Sequence, residues 1–111
     1  MIKRRKSIER GSFIFHQQLG DQNITIEELK QKLEQKEDFV FIDVREPFEY
    51  AEFNLGAKLI PLGNVISAIP DFEARKNDEI VIHCRSGKRS ATAQSWFQQA
   101  GFTNVRNLEG G

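Results

Sequence analysis

The chain has 111 residues, 39% hydrophobic and 29% charged, with 16 basic side chains balanced by 16 acidic ones. That is room for one domain of ordinary size. It is apolar enough to exclude the disordered class and too neutral for a dedicated nucleic-acid binder.

A single cysteine excludes an intrachain disulfide and leaves no thiolate set for a zinc or iron–sulfur centre. It suits a reducing compartment. Residues 1–10 hold five basic groups, Lys3, Arg4, Arg5, Lys6 and Arg10, against Glu9. We read residues 1–20 as a solvated basic arm and residues 21–111 as the folded domain. Phe13, Ile14 and Phe15 are apolar enough to pack on the body, and His16 belongs with the arm. The segment after the basic start is too short and polar for an export signal, and no run approaches the roughly 20 apolar residues of a membrane span. The expectation is a cytoplasmic protein that meets neither membrane nor nucleic acid.

In chain order, Thr25-Ile26-Glu27-Glu28 has the capping-box pattern, and Ile26, Leu29 and Leu33 repeat at helical spacing. They predict a helix over 26–36. Phe39-Val40-Phe41-Ile42-Asp43-Val44 is a short β-branched and aromatic run, as in a parallel strand buried on both faces. Pro47 opens a short helix over 47–52. Lys58-Leu59-Ile60 predicts a strand ended by Pro61. Val65, Ile66 and Ile69 predict a helix stopped by Pro70. Glu79-Ile80-Val81-Ile82-His83 predicts a second buried strand. Ser90 to Ala100 predicts a helix with Ala91, Ala93, Trp96, Phe97 and Ala100 on or near its inner side, closed by a left-handed Gly101. Asn104-Val105-Arg106 predicts a last strand. Strands alternating with helices make an α/β domain with a mainly parallel sheet.

The chemistry concentrates in His83-Cys84-Arg85-Ser86-Gly87-Lys88-Arg89-Ser90, between a buried strand and a helix. Ligands of open α/β sheets bind beyond the carboxyl ends of strands. A tight loop there turns several N–H groups inward, and the next helix adds its unpaired N–H groups and dipole. Arg85, Lys88 and Arg89 add positive charge. A thiolate at Cys84 is favoured in that setting, its pKa below the roughly 8.5 of a free cysteine, and the same cup suits an anionic substrate. Adjacent strand residues face opposite ways, so His83 is expected to be structural rather than a base for Cys84. Asp43 and Arg45 end the other buried strand on the same edge. Arg45 either orients the substrate or forms an ion pair that braces the loop. Glu46, Glu49 and Tyr50 read as cap and surface residues.

These stretches, with Asp43-Val44-Arg45-Glu46-Pro47-Phe48-Glu49-Tyr50, Gly56-Ala57, Ile60-Pro61-Leu62, Ala100-Gly101-Phe102 and Asn107-Leu108-Glu109-Gly110-Gly111, resemble the single-domain rhodanese family of sulfurtransferases over residues 24–111. The resemblance implies a rhodanese-like three-layer α/β domain, with a mainly parallel sheet of about five strands and helices on both faces. It implies a persulfide on Cys84, sulfur taken from an anionic donor such as thiosulfate, and an acceptor that is cyanide or a thiol. Arg85, Lys88 and Arg89 would hold the donor's oxygens, and the amides from Ser86, Gly87, Lys88, Arg89 and Ser90 would cradle the sulfur. Arg45 would assist and Asp43 support it. No cofactor or metal is implied; a protein partner in a sulfur relay is. Many relatives read Gly-His-Ile-Pro-Gly-Ala where this chain has Glu52-Phe53-Asn54-Leu55-Gly56-Ala57, and many continue past the Gly-Gly with an apolar helix.

Two other readings use the same thiol. A persulfide carrier or redox-sensing module would hold sulfur with little turnover. A cysteine phosphatase of this fold resembles Cys, five residues, then Arg, whereas here Arg89 comes one place early. A shorter loop makes a smaller cup, better for sulfur than for phosphate.

Overall fold

The computed structural model describes residues 22–110. The readings of the arm over 1–20, of Phe13, Ile14, Phe15 and His16, and of Gly111 lie outside the described residues.

Five strands form one parallel sheet: β1 (Asn23–Ile24), β2 (Val40–Asp43), β3 (Lys58–Leu59), β4 (Ile80–His83) and β5 (Val105–Leu108), in the order β1-β5-β4-β2-β3. Four α-helices connect them: α1 (Ile26–Glu34), α2 (Pro47–Glu52), α3 (Val65–Ala68) and α4 (Lys88–Gln99). The period-2 alternation of β4 divides the core. Ile80, Ile82 and Cys84 join Val65, Ile69, Ala93, Phe97 and Phe102 on the α3/α4 face. Val81 joins Ile24, Leu29 and Leu108 on the α1 face. Helices therefore cover both faces, and β2 and β4 are apolar up to their carboxyl ends, where Asp43 and His83 sit, because neither face meets water. Phe97 anchors the larger side, edge-on to Phe102 at 5.0 Å and to Phe72 at 6.1 Å. Burying such a side chain is worth about 1.5–3 kcal/mol.

Local signals explain most boundaries. Thr25 and Glu28 close their capping box, with Glu28 N–H donating to Thr25 Oγ1 at 3.1 Å and Thr25 N–H to the Glu28 carboxylate at 3.0 Å. Helix α1 stops at Glu34, and Lys36 then turns left-handed at φ 56°. Gly101 closes α4 at φ 96°, as its position predicts.

Several expectations need correction. Strand β1 was not foreseen: two residues are too few to show a period. It is held by tertiary contacts, because buried Gln94 of α4 donates from Nε2 to Gln22 O and Val105 O. Helix α3 does end before Pro70, at Ala68 with Ile69 as its cap, but Pro70 does not end the helical path of the chain. It sits in the first turn of a 3₁₀ segment, Ile69–Arg75, where its missing N–H is not needed. Strand β5 starts at Val105 rather than Asn104 and runs on to Leu108, since β1 and β4 flank it on both sides. The inner face of α4 is Ser90, Ala93, Gln94 and Phe97; Trp96 is half-buried and Ala91 and Ala100 are exposed. The helix turns its two polar members toward β5 and the loop before it, which small apolar periodicity alone does not reveal. No helix among the described residues is long and apolar enough to cross a membrane.

Candidate active site

Strands β2 and β4 are neighbours, but the chain leaves β2 for β3 on one side and β4 for β5 on the other. Loops that diverge in this way open a crevice at the carboxyl ends of the strands. Here it has a volume of about 290 Å³ and is lined by Arg45, Glu49, Glu52, Phe53, Leu55, His83, Cys84 and Arg85.

Cys84 stands at its base, 1% exposed. The loop from Arg85 to Gly87 folds over it because Gly87 takes φ 94°, a left-handed conformation glycine adopts without strain. That turn directs the Gly87 N–H to Sγ at 3.1 Å, and α4 then brings the Ser90 N–H to Sγ at 3.3 Å. The Ser90 hydroxyl lies 3.3 Å from the same sulfur. Burial pushes the Cys84 thiol up. The Ser90 hydroxyl and the N–H groups of Ser90, Gly87 and Ser86 outweigh burial and bring it below its ordinary value. Ser90 is itself positioned by β5: its Oγ donates to Asn107 Oδ1, and Asn107 Nδ2 donates to Gly87 O at 3.2 Å.

The cationic side chains are not equivalent. Arg85, with its side chain 75% exposed, reaches over the mouth and lies 3.7 Å from Glu49. Lys88 is exposed. Arg89 turns instead to Glu49, in a two-pronged pair at 2.8 and 3.0 Å. Arg89, and then the Glu46 N–H, hold the Glu49 carboxyl down to about 2 against its desolvation. Glu49, read as a cap and surface residue, does cap its helix through the Glu46 N–H, but it is buried rather than at the surface, because the helix begun by Pro47 packs this side against the loop. Tyr50 is half-buried and donates to Ala57 O at 2.7 Å.

Arg45 is engaged as an internal brace. Its Nη2 donates to Asp43 Oδ2 at 2.8 Å, its Nε lies 3.1 Å from both carboxylate oxygens, and Nη2 also donates to Phe53 O at 2.6 Å. His83 lies on the opposite face of β4 from Cys84, near Phe41 and 3.3 Å from Asp43. Burial lowers its pKa, with Asp43 opposing and Arg45 assisting. Divergence of His83 and Cys84 follows the strand alternation.

The loop residues named from sequence thus converge on Sγ through Ser86, Gly87 and Ser90. Arg85 lines the crevice with its side chain exposed, Lys88 is exposed at the start of α4, and Arg89 and Arg45 are held by carboxylates. Three contributors were missed: Glu49, Asn107, and the wall made by Glu52, Phe53 and Leu55. For Asn107 there was a signal, since it directly follows the predicted last strand, Asn104-Val105-Arg106, toward the sheet edge that carries Cys84.

A parallel α/β sheet that presents a lone thiol on an amide-lined loop at this edge defines a class of cysteine-dependent domains. The family profile of the rhodanese-like domain matches residues 25–111, and the chain belongs to that family. It is 38% identical over 94 residues to a sulfurtransferase of Allochromatium vinosum, covering 79% of this chain and 81% of that one. It is 40% identical over 86 residues to YrkF of Bacillus subtilis, provisionally named a sulfur carrier, and spans 45% of its length. The human single-domain sulfurtransferase TSTD1 superposes with a TM-score of 0.70 at 26% identity, covering 80% of this chain and 89% of that one.

Proposed function

We propose that this chain moves sulfane sulfur from an anionic donor such as thiosulfate to cyanide or a thiol through a persulfide on Cys84. The observation that carries the reading is the convergence of N–H donors on a buried Sγ at the edge of an open crevice. In the first step the Cys84 thiolate attacks the outer sulfur of thiosulfate. The sulfur–sulfur bond breaks, sulfite leaves with the electron pair, and Cys84 becomes a persulfide. In the second step the acceptor attacks the outer sulfur and Cys84 leaves as the thiolate. The amides of Ser86, Gly87 and Ser90 lower the cost of negative charge on sulfur at both stages. Arg85 and Lys88, the exposed cations of the loop and helix start, meet the donor's oxygens. Arg45, oriented by Asp43, and Glu49, held by Arg89, form part of the wall.

The domain spans residues 21–111 in this reading, behind an arm over 1–20, and works in the cytoplasm with a protein partner in a sulfur relay. Similarity to YrkF supports such a relay and favours one alternative, a carrier that loads but discharges slowly.

The test is intact mass after exposure to excess thiosulfate. The expected result is a gain of one sulfur atom, absent in Cys84→Ser and lost on adding cyanide. A gain that persists in cyanide selects the carrier. A folded protein with a reactive thiol and no gain overturns thiosulfate as donor, and phosphate esters become the next substrates to try.

A further inference from the structure

Ser90 has one hydroxyl proton and three acceptors in reach: Asn107 Oδ1, Gly87 O at 3.2 Å and Cys84 Sγ at 3.3 Å. Which of them receives it depends on Asn107. The Asn107 Nδ2 faces Gly87 O, a group that only accepts, so its Oδ1 must face Ser90 and the shared proton must come from Ser90. While Ser90 donates to Asn107, its lone pairs face Sγ. That arrangement suits a thiol, which can donate S–H to Ser90 Oγ. It does not suit a thiolate, which needs the proton itself. Ionisation of Cys84 therefore turns the hydroxyl toward sulfur and leaves Asn107 Oδ1 without its donor, at a cost.

We propose that Asn107 is a positioning residue that competes with Cys84 for the Ser90 hydroxyl proton and thereby restrains the thiolate. Its register places it for this: Asn107 pairs with Ile82 across β4 and β5, two residues before Cys84. The assignment rests on Cys84 as the sulfur-bearing nucleophile. Once Sγ has bonded to the transferred sulfur it is uncharged again, the charge having moved to the outer atom. The Ser90 proton then returns to Asn107. The pair thus favours the two states in which Sγ is neutral, the resting thiol and the loaded persulfide, over the reactive thiolate between them.

The test is the pH dependence of alkylation by iodoacetamide, which reports on Cys84 alone because the chain has one cysteine. Four proteins are compared: the parent, Asn107→Ala, Ser90→Ala and the double variant. The expected midpoint falls by about one unit in Asn107→Ala, because the hydroxyl is released to the thiolate, and rises by about one unit in Ser90→Ala. In the double variant it matches Ser90→Ala, because Asn107 acts only through Ser90. A purely structural Asn107, supporting the loop through Gly87 O, moves the midpoint the other way, by loosening the amide donors. A raised or unchanged midpoint in Asn107→Ala overturns the proposal, and so does an equal shift in both backgrounds. Asn107→Ser, too short to span to Ser90, carries the same expectation where the alanine variant does not fold. Alkylation needs no sulfur donor, so failure of the thiosulfate reaction leaves this result readable.

Discussion

Replacing Asp43 by Asn keeps the shape of the side chain and removes its charge. In the parent, Asp43 is fully buried and Arg45 is 7% exposed. The carboxylate accepts from the Arg45 backbone N–H at 2.9 Å as well as from its guanidinium, and it lies 3.3 Å from His83. The amide of Asn turns an NH₂ toward the guanidinium and leaves a buried cation without its counter-ion. Breaking a buried pair from one side costs about 3–5 kcal/mol. Against a total stability of roughly 5–15 kcal/mol, that leaves a folded but weakened domain. At about 4–8 °C per kcal/mol for a domain near this size, the lower figure predicts a Tm loss of at least about 12 °C. Calorimetry reads the Tm, and urea titration reads the free energy independently. Adding Arg45→Met removes the orphaned charge and is expected to restore part of the loss, the remainder being the buried amide at 43 and the Phe53 carbonyl left without its donor. A loss below about 1 kcal/mol, the range of exposed pairs, would falsify the brace. So would a double variant no more stable than the single one.

Two further outcomes follow from the loop and its neighbour. A Cβ at Gly87 meets nothing within 4 Å, so Gly87→Ala carries only the cost of a side chain at φ 94°, about 1–2 kcal/mol; a larger loss in urea titration, or none, refutes that account. Glu49 is held at about 2 in the folded chain, mainly by Arg89, against roughly 4.3 when unfolded. As pH falls the unfolded chain takes the proton first, so this contribution is complete above about pH 4.3 and is lost between there and about 2. Stability curves of the parent and Glu49→Gln are expected to converge across that window, and parallel curves contradict the assignment.

Much of this was written locally. The capping box at Thr25, Pro47 at a helix start, the left-handed glycines 87 and 101, and the apolar runs at 40–43 and 80–83 each depend on residues a few places apart. So does the cup at Cys84, because a glycine turn between a buried strand and a helix start suffices to aim N–H groups at one atom. That is why sequence alone determined the fold class, the family and the thiol. It also foretold that His83 would turn away, since strand alternation is a property of the backbone.

What only the tertiary structure decided are partners far apart in the chain. Strand β1 is too short to announce itself and exists because β5 and Gln94 receive it. Arg89 looked like a free cation until Glu49, 40 residues away, was packed beside it. Asn107 looked like a residue past the last strand until β5 ran on through it and the sheet order set it beside Ser90. Charge and hydrogen-bonding capacity are properties of a residue, but whether they remain free for a ligand depends on which distant groups the fold brings within about 3 Å.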